Sequence, residues 1–554
     1  LEKAASMGSV FWLGGLVALG RLNAAPPEVW SDDTTDDNDR LREILKELVE
    51  RDYVLPIPDS TFPGEQEFVF KHNLEREAVE RLIPSYTARR YHQTIADWLD
   101  FRSGVRSHEE HVASLAFHRE KAGARSRAAH AWIEAGDIAR TRYANAKAAE
   151  CYQRGLELLG DDDGRVRLEA LHHHGDVRLA LGLGEEALVC FRDMLALAFR
   201  LDLKSKGGAA HNRIGRLFRD SGRLDEASTH LEAGLTLFQI VGDARGVASS
   251  LDDLGKLCWM RGDYARALEL LREALAARKR LGDRRSIALS LHNLGLVLQD
   301  SGSFKEALDA FEQALRIRRE IGDLIGVALT LNNLGTIAQD QRDDARAMKL
   351  FEEAFGVARE VGDRQKMAIC LTNIGETHYR LGDVDKAIDT LTESGKIAEE
   401  LGDQLIIAET ARGLGKAFLI AGDLPRAREH TARALALFEQ VRSRFQIGVA
   451  LRTLGEVTAA GGWGSDNVVK AKEYFERAIE LFTEIGNEIE LARTYRSYSD
   501  FLAGAAELRD DARVQADIIA LRRRADDVSA KLKISAIGLD PSAFFTDKKT
   551  EGER

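Results

Sequence analysis

An all-α solenoid, a stack of helix pairs preceded by a small mixed domain, is the fold class this sequence predicts. Three observations carry the prediction. The chain has 554 residues, more than a single hydrophobic core organises. Six of its eight prolines (Pro26, Pro27, Pro56, Pro58, Pro63 and Pro84) fall within the first 84 residues, and only Pro425 and Pro541 follow. A proline inside a helix costs about 3 kcal/mol, so the long stretch with a single proline suits a helical array. From His211 onward, small residues recur every 40 positions, the mark of stacked supersecondary units.

Taken in order, the first apolar run is Val10–Leu19, VFWLGGLVAL. It has the length of a signal-peptide core, and Asn23-Ala24-Ala25 resembles a cleavage site. Glu2 and Lys3 cancel, however, so no positive stretch precedes it, and it is too short to span a bilayer. A buried helix is expected. The chain begins with Leu1 rather than Met, and a fragment of a longer polypeptide is expected. Leu41–Val54 has apolar residues at helical spacing, Pro56–Glu65 is turn-rich, Glu67–Phe70 reads as a strand and Asn73–Leu82 as a helix. Helix, strand, turn, strand, helix is the order of a winged-helix unit.

The repeat is marked by a glycine after an apolar residue: Gly215, Gly255, Gly295, Gly335, Gly375, Gly415 and Gly455, with Gly175 extending the register one step towards the N-terminus. Twelve residues after the glycines come Ala187, Ala227, Ala267, Ala307, Ala347, Ala387 and Ala427. Small residues recur where two helices approach closely. Leu271, Phe311, Phe351 and Leu391 follow the alanines by four, on the same helix face. One unit reads as Ile287–Asp300, a Ser301-Gly302 turn, then Phe304–Glu320, with Ser303 and Glu306 at capping-box spacing. Turn glycines recur as Gly302, Gly382 and Gly422, and Asp423 with Pro425 suits a helix start. Units are joined by Gly242-Asp243, Gly282-Asp283, Gly322-Asp323, Gly362-Asp363 and Gly402-Asp403. The glycine can end one helix left-handed while the aspartate caps the next.

These residues resemble the tetratricopeptide repeat, in its 40-residue form, over Ser126 to Leu502. Three departures stand out: Arg342 in place of a turn glycine, Val441–Arg444 in place of a Gly-Asp joint, and a four-residue insertion within Gly461–Asn467, after which Ala471 and Ala478 resume the pattern. Eight clear units run from Gly175 to Gly455, with a degenerate one before (Gly136, Ala148) and a half-unit near Ser499 after. The resemblance implies that first helices line a concave groove where an Asn contacts a ligand's backbone. Asp252, Asp253, His292, Asn293, Asn332, Asn333 and Asn373 are therefore the candidate peptide-binding residues, since an amide can both donate and accept. Copying of repeats without function explains the same recurrence.

Ala4–Leu19, Phe68–Leu82 and Ala88–Asp100 resemble the region after the ATPase core of bacterial STAND-type regulators, where a winged-helix unit precedes a tetratricopeptide sensor. That resemblance covers about the first 135 residues. It implies an ATPase upstream, with a kinase or cyclase as a further companion. No G-x-x-x-x-G-K-[ST] occurs: Gly415-Lys416 is followed by Ala, and Gly395-Lys396 by Ile.

No catalytic, cofactor or metal site is predicted. Ser107–His111 has its histidines three apart rather than four, and the consecutive His172, His173 and His174 point about 100° apart on a helix. Cys151, Cys190, Cys258 and Cys370 share no short spacing and read as small buried hydrophobes in a reducing compartment, the cytoplasm. A net charge of −12 argues against nucleic acid and anionic membranes. The helix Asn73–Leu82, taken as the DNA-reading one, carries Glu75, Glu77 and Glu80 against Arg76 and Arg81.

The expected domains are a winged-helix-like domain (1–102), a right-handed repeat superhelix (103–503), a capping helix (504–535) within which Arg509–Lys531 covers the last apolar face, and a flexible tail (536–554). The expected function is a protein-binding scaffold or sensor arm of a bacterial signalling ATPase. A free-standing peptide adaptor and a DNA-binding regulator are the alternatives. The expected partner is a protein or peptide in the groove, or the upstream ATPase.

Overall fold

The computed structural model describes residues 1–22, 35–62, 64–103, 109–160, 163–461, 465–504 and 512–531. Asn23–Ala25, Pro63, Ser107, His108 and the tail from Ile534 lie outside them, as do residues 462–464 of the insertion. The chain divides into two units, Leu1–Val241 and Gly242–Arg554.

The first unit opens with α1 (Glu2–Met7), β1 (Val10–Trp12), α2 (Leu13–Gly20), α3 (Thr35–Glu50), β2 (Val54–Ile57), β3 (Glu67–Phe70), α4 (Asn73–Arg81) and α5 (Ser85–Ser103). The strands form one antiparallel sheet in the order β1-β3-β2, with Phe11 opposite Phe68 and Leu55 opposite Val69. The apolar run Val10–Leu19 is thus corrected: only its second part is a helix. Val10-Phe11-Trp12 is β-branched and aromatic, and β3 offers it a partner. Both parts are buried as expected, in a core with Leu45, Phe62, Phe70, Ile95 and Trp98. Glu67 is 5% exposed there, and its Oε2 accepts from Trp12 Nε1 (2.9 Å), Thr61 N (2.6 Å) and Ser60 Oγ (3.1 Å). Burial pushes its pKa up, but these donors outweigh burial and hold it below the usual range.

The remaining helices of this unit come in pairs after a single α6 (Glu109–Lys121): α7 (Arg125–Thr141) with α8 (Asn145–Leu158), α9 (Gly164–Ala180) with α10 (Gly184–Arg200), and α11 (Lys204–Asp220) with α12 (Leu224–Val241). In the second unit the pairs are α13 (Ala244–Met260) with α14 (Tyr264–Leu281), α15 (Arg284–Asp300) with α16 (Phe304–Glu320), and α17 (Leu324–Asp340) with α18 (Asp344–Val361). Then follow α19 (Arg364–Arg380) with α20 (Val384–Leu401), α21 (Gln404–Ala421) with α22 (Leu424–Gln440), and α23 (Arg444–Ala460) with α24 (Ser465–Glu484). Last, α25 (Glu488–Gly504) packs on α26 (Ala512–Lys531), which buries Val514, Ile518, Leu521 and Ala525.

Each marker glycine lies under a fully buried side chain of its partner helix. A Cβ at Gly215 would meet Leu231 Cγ at 2.7 Å, one at Gly295 would meet Phe311 at 2.8 Å, and one at Gly455 would meet Phe475 at 2.9 Å. No real Cβ contact is that short. The paired alanines Ala227, Ala267, Ala307, Ala347, Ala387 and Ala427 are completely buried beside them. Glycine and alanine therefore set the distance between the two helices, and the large residue fills the space.

The joints also behave as the residues dictate. Gly282, Gly362 and Gly402 take left-handed φ of 70°, 76° and 68°. Asp283, Asp323, Asp363 and Asp403 then accept backbone N–H bonds at the start of the next helix. Asp423 does the same, with Pro425 in the first turn. Ser303 is a correction: it occupies the N-cap position, but its hydroxyl makes no capping bond. Arg342 replaces a turn glycine yet keeps its left-handed φ of 62°. Left-handed backbone costs a residue with a Cβ about 1–2 kcal/mol, against about 0.5–1 kcal/mol for glycine's greater unfolded freedom. Arg342→Gly is therefore expected to stabilise the fold by about 0.5–1 kcal/mol, read as a rise in the urea midpoint.

Candidate functional site

First helices of successive pairs in the second unit pack on one another: α17 on α19, α19 on α21, α21 on α23, and α23 on α25. Second helices make their extensive contacts with first helices instead, so the first helices occupy the tighter, inner side of the stack. Their shared face is a stripe set by fixed offsets from each marker glycine. It is polar in α13, with Ser249, Asp252 and Lys256, has an apolar stretch at Leu289, Leu296, Leu329 and Ile369, and turns charged at Glu376, Glu409, Arg412, Lys416, Arg452 and Glu456. Leu289 is 40% exposed.

The seven candidate residues sit on or beside this stripe. Asp252, Asp253, His292 and Asn293 are buried, whereas Asn332, Asn333 and Asn373 are half-buried. Six of them bond across neighbouring repeats in one pattern, in which each residue meets the one 41 positions on. Asn293 Nδ2 donates to Asp252 Oδ2 (2.9 Å), Asn333 Nδ2 lies 3.4 Å from His292 Nε2, and Asn373 Nδ2 donates to Asn332 Oδ1 (2.7 Å). The first unit has the same rung, with Arg213 3.3 Å from His172. Recurrence of these polar residues thus has a packing cause, one that neither ligand contact nor simple copying had supplied.

Two buried arginines support the rungs from behind. Arg278 Nη1 donates to Ser290 Oγ (2.6 Å) and Asp252 Oδ1 (3.2 Å). Forty residues on, Arg318 Nη1 donates to Gly326 O (2.9 Å) and to Thr330 Oγ1 and approaches His292 Nδ1. Burial, with Arg318 and Lys256 adding repulsion, pushes the His292 pKa down to about 3, so the ring is neutral.

Further along the stripe the rungs become ion pairs, which the candidate set missed. Arg412 pairs with Glu376 and Glu409, Lys416 with Glu456 (2.5 Å), and Arg452 with Glu490 (2.5 Å). Burial opposes the charge of Glu490, yet Arg452 and Arg493 pull its pKa down to about 2. The signal was present in the sequence: charges recur three before and one after the marker glycine. Asp300 lacks such a cation. Trp259 Nε1 donates to its Oδ2 (2.8 Å), but burial above all, then Asp340 and Glu490, raise its pKa to about 6.

Asp300 gives a prediction whose sign follows from linkage. Its folded pKa lies above the ordinary 3.8, so the folded state holds the proton more tightly. Stability is lost as pH rises from about 4 to 6, and the whole penalty is present above that window. Asp300→Asn is expected to stabilise the protein by about 1–2 kcal/mol near pH 7.5, discounted for partial solvent access, and by almost nothing near pH 4. Urea melts at the two pH values check it.

The histidine run behaves partly as expected. His174 turns inward and accepts from Arg178 Nε (2.9 Å). Glu169, His172 and His173 share a helix face, with ligand atoms within 4.8 Å of one another. Lys206 pairs with that glutamate, Arg213 Nε donates to His172 Nε2 (3.3 Å), and Asp137 lies 2.9 Å from His173, so each of the three side chains has a protein partner. His111 stacks into the N-terminal core, its ring 4.0 Å from that of Phe62. All four cysteines are free thiols, with Cys258 half-buried and the others buried. No helix among the described residues is long and apolar enough to cross a membrane.

The family model for the tetratricopeptide repeat matches residues 208–280, 286–360, 326–400 and 366–440. No curated protein matches the chain. Among solved structures, the chain is similar to a signal transduction ATPase with numerous domains that carries a tetratricopeptide repeat sensor, from Pyrococcus horikoshii. Identity is 14% and TM-score 0.45, over 80% of this chain and 64% of that one. It therefore spans less than two thirds of that protein's length. It is also similar to aspartyl phosphate phosphatase F from Bacillus subtilis (16% identity, TM-score 0.44, 63% of this chain and 92% of that one). A third is the apo form of the quorum sensor NprR from B. thuringiensis (15% identity, TM-score 0.45, 65% and 99%). With its glycine ladder, capped joints and family match in agreement, the chain is built of tetratricopeptide repeats across residues 208–440.

Proposed function

We propose that the chain is a protein-interaction scaffold or sensor arm that holds a partner protein or peptide against the first-helix face of its second unit. The observation that carries this is the stripe itself: Leu289, Leu296 and Leu329 followed by half-buried amides and ion pairs along successive first helices. The apolar stretch gives a partner area to bury, and the amides and charges give it orientation. Asn332, Asn333 and Asn373, which keep solvent access, remain the amides best placed to reach a ligand; Asp252, His292 and Asn293 would act by holding the repeats in register, and Asp253 is buried beside them.

Leu289→Glu tests the reading on the full chain. Leu289 is exposed, so the melting temperature should stay within a degree or so of wild type while capture of the partner falls severalfold. Capture unchanged by Leu289→Glu, and by alanine at all three half-buried asparagines, would end the proposal.

The finer reading is that this is the sensor region of a bacterial STAND-type ATPase, working in the cytoplasm. It rests on the N-terminal likeness and on the order of small domain, then repeats. The corresponding domains would be 1–102, 103–503, 504–535 and 536–554. A reading frame without an ATPase upstream would remove it. The helix order of residues 1–70 also fits a winged helix, with α2 and α3 as the helix-turn-helix pair. In that frame the reading helix is α3 rather than α4, because the second helix of the pair enters the groove. Six carboxylates in α3 face three cations, Arg40, Arg42 and Lys46. A net −3 repels phosphate, so the DNA-binding alternative is disfavoured on the new helix as on the old.

A further inference from the structure

We propose that the second unit is held closed by a clasp between the start of α25 and the ends of α13 and α17, and that the clasp opens when the first-helix face takes up its partner. Most contacts in a repeat stack join neighbours only, so its curvature is the sum of small rotations and is soft. Two contacts here skip several repeats. Arg493 Nη2 in α25 donates to Asp340 Oδ1 at the end of α17 (2.8 Å). At the α13–α14 turn, Gly262 has φ of 80°, and a Cβ there would stand 3.0 Å from the carbonyl oxygen of Ile485, just before α25. The stack therefore winds back until the turn before α25 meets a turn near its start.

The parts of the clasp are matched in strength to being opened. Arg493 and Asp340 keep side-chain exposures of 23% and 25%, so the pair is partly solvated. A partly exposed ion pair is weak, and the free energy of binding a peptide can offset its loss. Glu490 fixes the geometry, taking Arg493 Nη1 at 2.5 Å and Arg452 Nη1 at 2.5 Å, so the guanidinium is aimed across the stack before it meets Asp340. Gln299 Nε2, 3.3 Å from Asp340 Oδ2, holds the other side. Asp340 and Asp300 lie at the ends of the first helices that carry Leu289, Leu296 and Leu329.

Only the use of the clasp rests on the binding reading; its existence does not. Hydrogen exchange on the full chain, without any partner, tests it. Asp340→Lys and Arg493→Glu each place like charges together and should speed amide exchange in residues 258–264 and 484–490 about tenfold. Asp340→Lys leaves α25 untouched, which separates clasp opening from unwinding of that helix. Asp340→Asn, which removes the charge but leaves Arg493 on Glu490, should speed exchange by a smaller factor than Asp340→Lys. Unchanged exchange in both Asp340→Lys and Arg493→Glu would overturn the clasp while leaving the first-helix face as a binding surface.

Discussion

Glu490→Ala is expected to cost the second unit about 3 kcal/mol or more. Its carboxylate is 6% exposed as a residue and accepts from two arginines. Removing it strands the Arg452 guanidinium, 13% exposed, with its charge intact and its carboxylate partner gone. Arg493 loses one of two carboxylates and keeps Asp340. Breaking one side of a buried pair typically costs about 3–5 kcal/mol, far more than the pair contributes when intact, because desolvation of the remaining ion is no longer offset. Urea denaturation followed at the C-terminal repeats checks it. Glu490→Gln should recover part of the loss, since the amide oxygen still accepts one N–H. A loss below about 1 kcal/mol in the alanine variant would show that water reaches Arg452 freely.

Phe351→Ala is the second large expected effect, at about 3–5 kcal/mol. The ring is fully buried and lies across Gly335, where a Cβ would approach Cδ1 to 2.7 Å. Glycine leaves no side chain to collapse into the space, so the cavity stays open and the cavity cost adds to the lost transfer energy. Phe311, over Gly295, should behave alike, and distant repeats should lose stability additively. Equilibrium melts of the single and double variants read both.

How much of this was legible in the sequence divides along physical lines. The helix pairs and joints were, because glycine at left-handed φ, capping aspartate and close-packed alanine each act within one repeat. Gly335 and Phe351 are sixteen positions apart, and the pairing could be drawn without coordinates. Strand β1 was hidden, since three residues show no period and the partner strand lies more than fifty residues away. Ser303 had the right spacing for a cap, but spacing does not fix hydroxyl orientation. The asparagines were found for their recurrence. That their amides reach the preceding repeat depends on how first helices stack, which a 40-residue period leaves open. The clasp was least accessible: Arg493 and Asp340 are 153 positions apart, and only accumulated curvature brings them together.

The central claim is that particular small residues permit the helix pairs to nest, and one comparison of two glycines tests it. Gly335 and Gly356 both lie in helices of the same repeat, but a Cβ at Gly335 meets the Phe351 ring, whereas one at Gly356 meets nothing within 4 Å. Alanine is the better helix former by about 1 kcal/mol, so Gly356→Ala should stabilise by up to that amount. Gly335→Ala gains the same propensity but must displace a packed ring, and should destabilise by about 1–3 kcal/mol. Opposite shifts in the urea midpoint are the predicted result. Stabilisation by both substitutions would contradict the account, because the marker glycine would then be a helix defect rather than the contact on which the stack is built.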